Sequence, residues 1–301
     1  MVLKVLVTGA EGQVGSAVMS SLGAEYQCIG LSRAELDLTS PEAIARAMDA
    51  YQPDVVVNAA AYTAVDRAED EPELAFQVNA EGPRFLAEAC LKAGAVLIHF
   101  STDYVFDGSL MRPARETDPC VPVGVYGRSK LAGEEAIRQT GVRHLCVRTS
   151  WVFSATGACF PRTILRAAKQ HDVLRVVNDQ VGAPTSAVSL ARVVHCVLAR
   201  LAAQTEIAWG TYHFAQKPQC SWFEFAQAIV RIATLEDSGY ARVVIEPIST
   251  EAYGARAPRP SDSRLDTDKI TGYLSGLNSF SSWESDLRDA ISQILTIEEH
   301  P

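Results

Sequence analysis

The stretch Val5-Leu6-Val7-Thr8-Gly9-Ala10-Glu11-Gly12-Gln13-Val14-Gly15 constrains this chain more than any other. A short apolar run stops at three glycines spaced three apart, and a helical pattern begins among them. A diphosphate needs backbone N–H groups brought close at a helix N-terminus. There the macrodipole favours negative charge, and a Cβ at the turn would block the approach. Gly9, Gly12, Gln13, Val14 and Gly15 therefore read as a dinucleotide cradle.

Further apolar runs at residues 27–31, 55–58, 96–100 and 145–148 join the first, at 4–7, as predicted strands. Amphipathic stretches at 41–51, 73–93 and 127–140 read as helices between them. Strands that are apolar throughout, rather than alternating, belong to a parallel sheet covered on both faces. The expected fold is α/β, a Rossmann-type doubly wound parallel sheet with a smaller C-terminal substrate-binding lobe. Residues 1–155 form the nucleotide domain, with about 185–210 returning to it, and residues 156–301 form mainly the lobe. Helices are predicted at 160–170, 189–203 and 222–233, a loop-rich stretch at 178–186, and an extended arm over 247–263, which is rich in Pro, Ser and Ala.

Bulk properties exclude several functions. At 301 residues, 48% apolar and 21% charged, the chain has ordinary globular usage and can bury a large core. A formal charge of −9 argues against nucleic acid, whose affinity comes from clustered Lys and Arg. Seven cysteines without Cys-x-x-Cys pairs fit neither a zinc site nor a disulfide framework, so free thiols in a reducing compartment are expected. The N-terminal run is too short for a secretory h-region. No window has the roughly 18 apolar residues of a membrane span. A soluble, cytoplasmic protein is the expectation.

The end of the second predicted strand bears on cofactor choice, because an acid there would accept from the ribose 2′-OH and repel a 2′-phosphate. Here Ser32 and Arg33 stand at that turn, so NADPH is favoured, with NADH possible. Arg33 as a solvated surface charge is the competing reading. Asp37 and Leu38 are candidates for the adenine side, and Ala59, Ala60 and Ala61 for the wall of the cofactor site.

The candidate chemistry lies at the C-terminal ends of successive strands, in Asn58-Ala59-Ala60-Ala61-Tyr62-Thr63, Ser101-Thr102-Asp103-Tyr104, Tyr126-Gly127-Arg128-Ser129-Lys130 and Arg148-Thr149-Ser150-Trp151. Tyr126 and Lys130 share a helix face one turn apart, where an ammonium would lower the phenol pKa toward the working pH. Tyr126 could then give its proton to a carbonyl oxygen as hydride arrives from a nicotinamide. Thr102 offers that oxygen a second hydroxyl. Asn79 anchors a water, holds Lys130 or is a plain helix-surface residue; the sequence leaves these open.

These strings resemble one family in particular, the dTDP-4-dehydrorhamnose reductases, which are extended short-chain dehydrogenases. The resemblance covers nearly the whole chain. It includes Val57 to Asp66, Ser101 to Phe106, Val125 to Glu134, Arg148 to Phe153, Asn178-Asp179-Gln180-Val181-Gly182-Ala183-Pro184-Thr185 and Arg259-Pro260-Ser261-Asp262-Ser263-Arg264-Leu265. It implies NADPH-dependent reduction at C4 of dTDP-4-dehydro-6-deoxy-L-mannose, with Tyr126, Lys130 and Thr102 in the roles above. It also implies a nucleotide-sugar pocket lined by Thr102, Asp103, Tyr104, Trp151, Asp179, Gln180, Pro184, Thr185 and Arg259. Trp151 as core and Arg259 as a surface charge are the bland alternatives.

Some members bridge two subunits through magnesium held by glutamates at places that correspond here to Ala17 and Val188, neither a ligand for a hard cation. No metal is expected, and a homodimer, if formed, would lack that bridge. Related dehydratases carry Asp-Glu where this chain has Asp103-Tyr104, which ranks reduction above dehydration or epimerisation. A non-catalytic NADP-binding regulatory subunit of the methionine adenosyltransferase type and a reductase of another nucleotide 4-keto sugar stay as alternatives.

Overall fold

The structure is a computed structural model that describes residues 2–23, 25–274 and 282–299. Five strands arise as the apolar runs predict: Lys4–Thr8 (β1), Gln27–Leu31 (β2), Val55–Asn58 (β3), Val96–Thr102 (β4) and His144–Thr149 (β5). A sixth strand, Gly210–His213, pairs in parallel with β5 and escaped the sequence reading. The sheet order is Gly210–His213, β5, β4, β3, β1, β2, parallel throughout. The order reverses between β1 and β3, the place where open α/β sheets bind ligands.

Both faces of this sheet are covered, which explains the unbroken apolar runs. Val5, Val7, Val55, Val57, Val96 and Ile98 face helices Gln13–Leu22 and Ala187–Ala202. Leu6, Val56 and Leu97 face Pro41–Tyr51 and Gly82–Ala93 on the other side. Burying a branched side chain of this size contributes roughly 1.5–3 kcal/mol, so two filled faces account for most of the drive to form the sheet.

A second core gathers Leu165, Phe225, Ile229, Leu287 and Ile291 from helices Phe160–Gln170, Trp222–Glu236 and Trp283–Glu299, with Phe153 and Leu174 from the short strands Val152–Phe153 and Val173–Val177. Chain from late in the sequence also returns to the first core, including Leu190 to Leu198, Tyr212, Ile270 and Leu274. Among the described residues no helix is long and apolar enough to cross a membrane.

Three local readings need correction. The predicted helix 73–93 is broken: Pro72–Phe76 runs into a π-helical turn, Gln77–Glu81, before Gly82–Ala93. The expected loop at 178–186 holds two short strands, Val181–Gly182 and Thr185–Ser186. The arm at 247–263 is not extended throughout. Val244–Ile248 pairs in parallel with Val173–Val177, and a helical turn, Thr250–Tyr253, follows. Each feature depends on a partner distant in sequence, so local composition did not show it.

Candidate functional site

Gly9 has φ +65, open to glycine and strained for most residues. A Cβ there would lie 2.8 Å from Ala60 Cα, and one at Gly15 would lie 2.1 Å from the Gly9 carbonyl oxygen. Backbone is thereby packed on backbone. Helix Gln13–Leu22 begins at Gly12 with no side-chain cap and no acid in its first turn. Its first amides are therefore offered to an anion, and the residues fit the diphosphate of a dinucleotide.

Not every residue of this loop serves that purpose by its side chain. The Gln13 amide donates to Ala158 O at 3.0 Å and accepts from Ser154 Oγ at 3.0 Å, so it ties the cradle to the 154–158 loop. Val14 packs against the first core. Ala59 and Ala60 lie where expected, with Ala60 against Gly9 and its N–H donating to Asn58 Oδ1 at 3.2 Å. Ala61 is half-buried between Ala60 and Tyr62.

The end of β2 departs from expectation. Ser32 is buried, and both its N–H and its hydroxyl donate to Glu35 Oε2 at 2.8 Å, while Arg33 is exposed. An acid does reach the ribose end of the strand, from three residues on. Asp37 accepts from the Thr39 N–H and hydroxyl, which holds its carboxyl below the usual range. The Leu38 side chain is core, against Gly82, and does not line an open site.

Tyr126 and Lys130 lie in the first turns of helix Val125–Thr140, beyond β4. The close approach of this helix depends on Gly127 and Gly133. A Cβ on Gly127 would meet the Tyr104 carbonyl at 2.1 Å, and one on Gly133 would meet the Asn79 carbonyl at 2.1 Å. Asn79, buried in the π turn, accepts from Tyr62 N at 2.8 Å and donates to Tyr62 O and Ser129 Oγ, each at 3.0 Å. It is neither a surface residue nor a partner of Lys130; it fastens the 59–62 loop to the catalytic-type helix.

The expected ammonium–phenol coupling is not what the structure shows. Burial pushes the Tyr126 phenol up to about 12, against an opposing hydrogen bond with Thr102. Burial also brings Lys130 down to about 8. Its Nζ donates to Phe100 O at 2.7 Å and lies 3.3 Å from His99 Nε2. Removal from water is the largest cause for both groups, because the charged form of each loses hydration.

Behind Lys130 runs a buried chain. Thr8 Oγ1 donates to Asn58 Oδ1 at 2.7 Å, and Asn58 Nδ2 lies 3.0 Å from His99 Nδ1. Ala60 N can only donate, so Asn58 Oδ1 is the acceptor and its Nδ2 the donor. Below the helix, Glu134 and Arg148 pair at 2.6 Å, at 1% and 3% side-chain exposure, and Ser101 Oγ donates to Glu134 Oε1 at 2.5 Å. Sequence reading placed Glu134 and Arg148 inside quoted motifs but gave them no partner. Their separation of 14 positions on different elements hides the pairing.

Around Tyr126, Thr102 Oγ1 donates to Asp103 Oδ1 at 2.9 Å and accepts from Tyr104 N at 3.2 Å. Burial raises the Asp103 carboxyl to about 7. The Tyr104 ring meets Tyr126 edge-on at 5.7 Å. Arg259 neighbours Tyr104, and its Nη2 donates to Asp66 Oδ2 at 2.8 Å. These residues converge on one place.

The other candidates are engaged by partners within the protein. Trp151 has φ +47 and stacks on Trp222, centroids 3.6 Å apart, with Gly182 against its ring. Trp222 was not anticipated. Asp179 accepts from the Thr250 N–H at 2.9 Å and hydroxyl at 2.6 Å, and Gln180 Nε2 donates to the same hydroxyl at 3.0 Å. Pro184 and Thr185 are buried, and Thr185 pairs with Val152 in a two-stranded sheet. Among the described residues no group of three or more His, Cys, Asp or Glu is arranged to hold a metal ion.

Comparison with known proteins agrees with this geometry. Residues 3–296 match the family model of the RmlD substrate binding domain. A dTDP-4-dehydrorhamnose reductase of Burkholderia thailandensis is 45% identical over 275 residues, 89% of this chain and 92% of that one. The crystal structure of a dTDP-4-dehydrorhamnose reductase from Clostridium acetobutylicum superposes with a TM-score of 0.89 at 36% identity, covering 97% of this chain and all (100%) of that one. That of a dTDP-4-dehydrorhamnose reductase from Bacillus anthracis, in complex with NADP, gives 0.87 at 34% identity, covering 97% and 100%. A match that runs through both cores, rather than through the nucleotide-binding half that many dehydrogenases share, makes this chain a member of the RmlD substrate binding domain family.

Proposed function

We propose that this chain reduces the C4 keto group of dTDP-4-dehydro-6-deoxy-L-mannose to give dTDP-L-rhamnose, using NADPH. One observation carries the reading most: the half-buried Tyr126 phenol stands beside Thr102 and edge-on to Tyr104 at the C-terminal end of the parallel sheet, the end that also bears the glycine cradle. The named relatives and the NADP-bound neighbour support it.

The nicotinamide, when bound, supplies a hydride to the carbonyl carbon. Tyr126 gives its proton to the carbonyl oxygen, so that the C=O becomes a C–OH and the phenol is left as a phenolate. A phenol raised to about 12 carries its proton at rest, so Tyr126 stands as donor and not as base before hydride arrives. Thr102 stabilises the oxygen as charge develops, once its one hydroxyl proton turns from Asp103 Oδ1 to the substrate. Lys130, brought down to about 8, stands near the working pH, where it can return a proton to the tyrosine side. Arg259, an exchangeable partner of Asp66, is the cation for the sugar nucleotide's diphosphate.

We also place the reaction in the cytoplasm. All seven cysteines are free, and four are buried, as a reducing compartment allows. A homodimer without a metal bridge goes with Ala17 and Val188, which offer no ligand.

The test is NADPH oxidation with the dTDP-4-keto sugar, which should proceed and yield dTDP-L-rhamnose. Absence of turnover at high protein concentration would overturn the reading. Tyr126→Phe should lower kcat by roughly 10²–10⁴ while NADPH affinity stays near wild type. Full activity in that variant would remove Tyr126 as proton donor.

A further inference from the structure

We propose that Glu35 governs the choice between a 2′-phosphorylated and an unphosphorylated adenosine ribose, by holding with its own carboxylate the donor pair that a 2′-phosphate would take. The inference rests on the dinucleotide reading of the glycine cradle and asks nothing of the sugar chemistry.

β2 ends at Leu31, whose carbonyl accepts from Ala10 N at 3.2 Å, so the cradle and the strand end are joined by one hydrogen bond. Gly30 allows that contact, since a Cβ on it would lie 2.8 Å from Ala10 Cβ. A dinucleotide whose diphosphate sits on the cradle brings its adenosine ribose to this strand end. The next residue offers two donors, the Ser32 N–H and Oγ–H, and both are directed at one oxygen, Glu35 Oε2, at 2.8 Å. An amide and a hydroxyl converging on a single anionic oxygen make an anion site, here filled from within the chain.

The occupant can leave without disturbing the site. Ser32 is 8% exposed and its carbonyl accepts from Glu35 N at 3.2 Å and Leu36 N at 2.9 Å, so the backbone turn closes independently of the Glu35 side chain. Glu35 and Arg33 are exposed. With a 2′-hydroxyl, the carboxylate keeps Ser32 and accepts from the ribose. A 2′-phosphate sets like charges together, so the Glu35 side chain swings into solvent. The Ser32 donors and Arg33 then take the phosphate. The chain accepts both cofactors, and Glu35 penalises the phosphorylated one.

Binding of adenosine 2′,5′-bisphosphate and adenosine 5′-monophosphate, followed by calorimetry at low salt, tests this without turnover. Glu35→Gln and Glu35→Ala should each tighten the bisphosphate by about tenfold, the scale of one unit charge removed from beside another near a surface. The monophosphate should be unchanged or up to roughly threefold weaker, as expected for one lost surface acceptor. Ser32→Ala should weaken the bisphosphate selectively. An unchanged preference in both Glu35 variants overturns the proposal, as does an equal gain for both nucleotides. A lower Tm with unchanged preference also overturns it, and makes Glu35 a local turn cap. If neither nucleotide binds the wild type, the dinucleotide reading itself fails.

Discussion

On the nucleotide side, Gly9, Gly12 and Gly15 shape a cradle out of backbone, and the first amides of helix Gln13–Leu22 have no side-chain cap. On the side where the family resemblance puts the sugar, Arg259 is paired with Asp66, Asp179 with Thr250, and Trp151 with Trp222. The glycine cradle of the first region stands open, and only Glu35 at the end of β2 holds a donor pair within that region. On the proposed reading, the second would exchange protein contacts for ligand contacts, and part of its binding energy would go into breaking them. A rigid cofactor platform facing a self-satisfied substrate surface implies that the two ligands respond differently to the same kind of mutation.

The largest effect should come from the seam under both regions. Glu134→Ala leaves Arg148 buried without its counter-charge, and a loss of about 3–5 kcal/mol is expected from denaturant unfolding. A loss under 1 kcal/mol would mean that the seam does not hold the two sides in register. Next, Gly15→Ala drives a Cβ into the Gly9 carbonyl, which has no room to yield. NADPH binding should weaken at least about a hundredfold, or roughly 2.8 kcal/mol. Near-normal affinity would show the cradle to be adaptable after all.

Asp103 gives a pH-dependent contrast. Its folded pKa of about 7 lies above an unfolded value near 3.9, so the folded chain holds a proton that the unfolded chain releases. Stability linked to this group is present below about pH 4 and is lost as pH rises through 7. Asp103→Asn should therefore raise stability over wild type by about 1–2 kcal/mol at pH 8, the advantage fading toward pH 4. A pH-independent difference would sink that account. Smallest of all, Asp66→Asn should change stability by less than about 1 kcal/mol, because the pair is partly exposed. It should also lower KM for the sugar nucleotide about twofold to fivefold, as one freed surface charge contact would. A higher KM would show that Asp66 positions Arg259 and does not compete for it.

Much of this was legible in the chain itself. The glycine spacing, the apolar runs and the residues Thr102, Tyr126 and Lys130 could be located because strand ends and helix starts are local events. The sixth strand of the sheet, Gly210–His213 beside β5, was hidden because a four-residue strand has no period to read. Glu35 is not legible at the usual position for an acid, because its side chain reaches back across a turn to Ser32. Trp222, 71 positions from Trp151 in the chain, could only be found in space.

By itself the sequence determined the fold class, the cradle and the order of the chemical groups, since periodicity and backbone freedom are properties of neighbours. Only the tertiary structure decided the partners of those groups and the direction in which their pKa values move. Lys130 and Tyr126 share one helix face as the spacing demands, yet burial raises one and lowers the other, and Lys130 turns to Phe100 O and His99. Desolvation depends on everything packed around a side chain, which no window of residues contains.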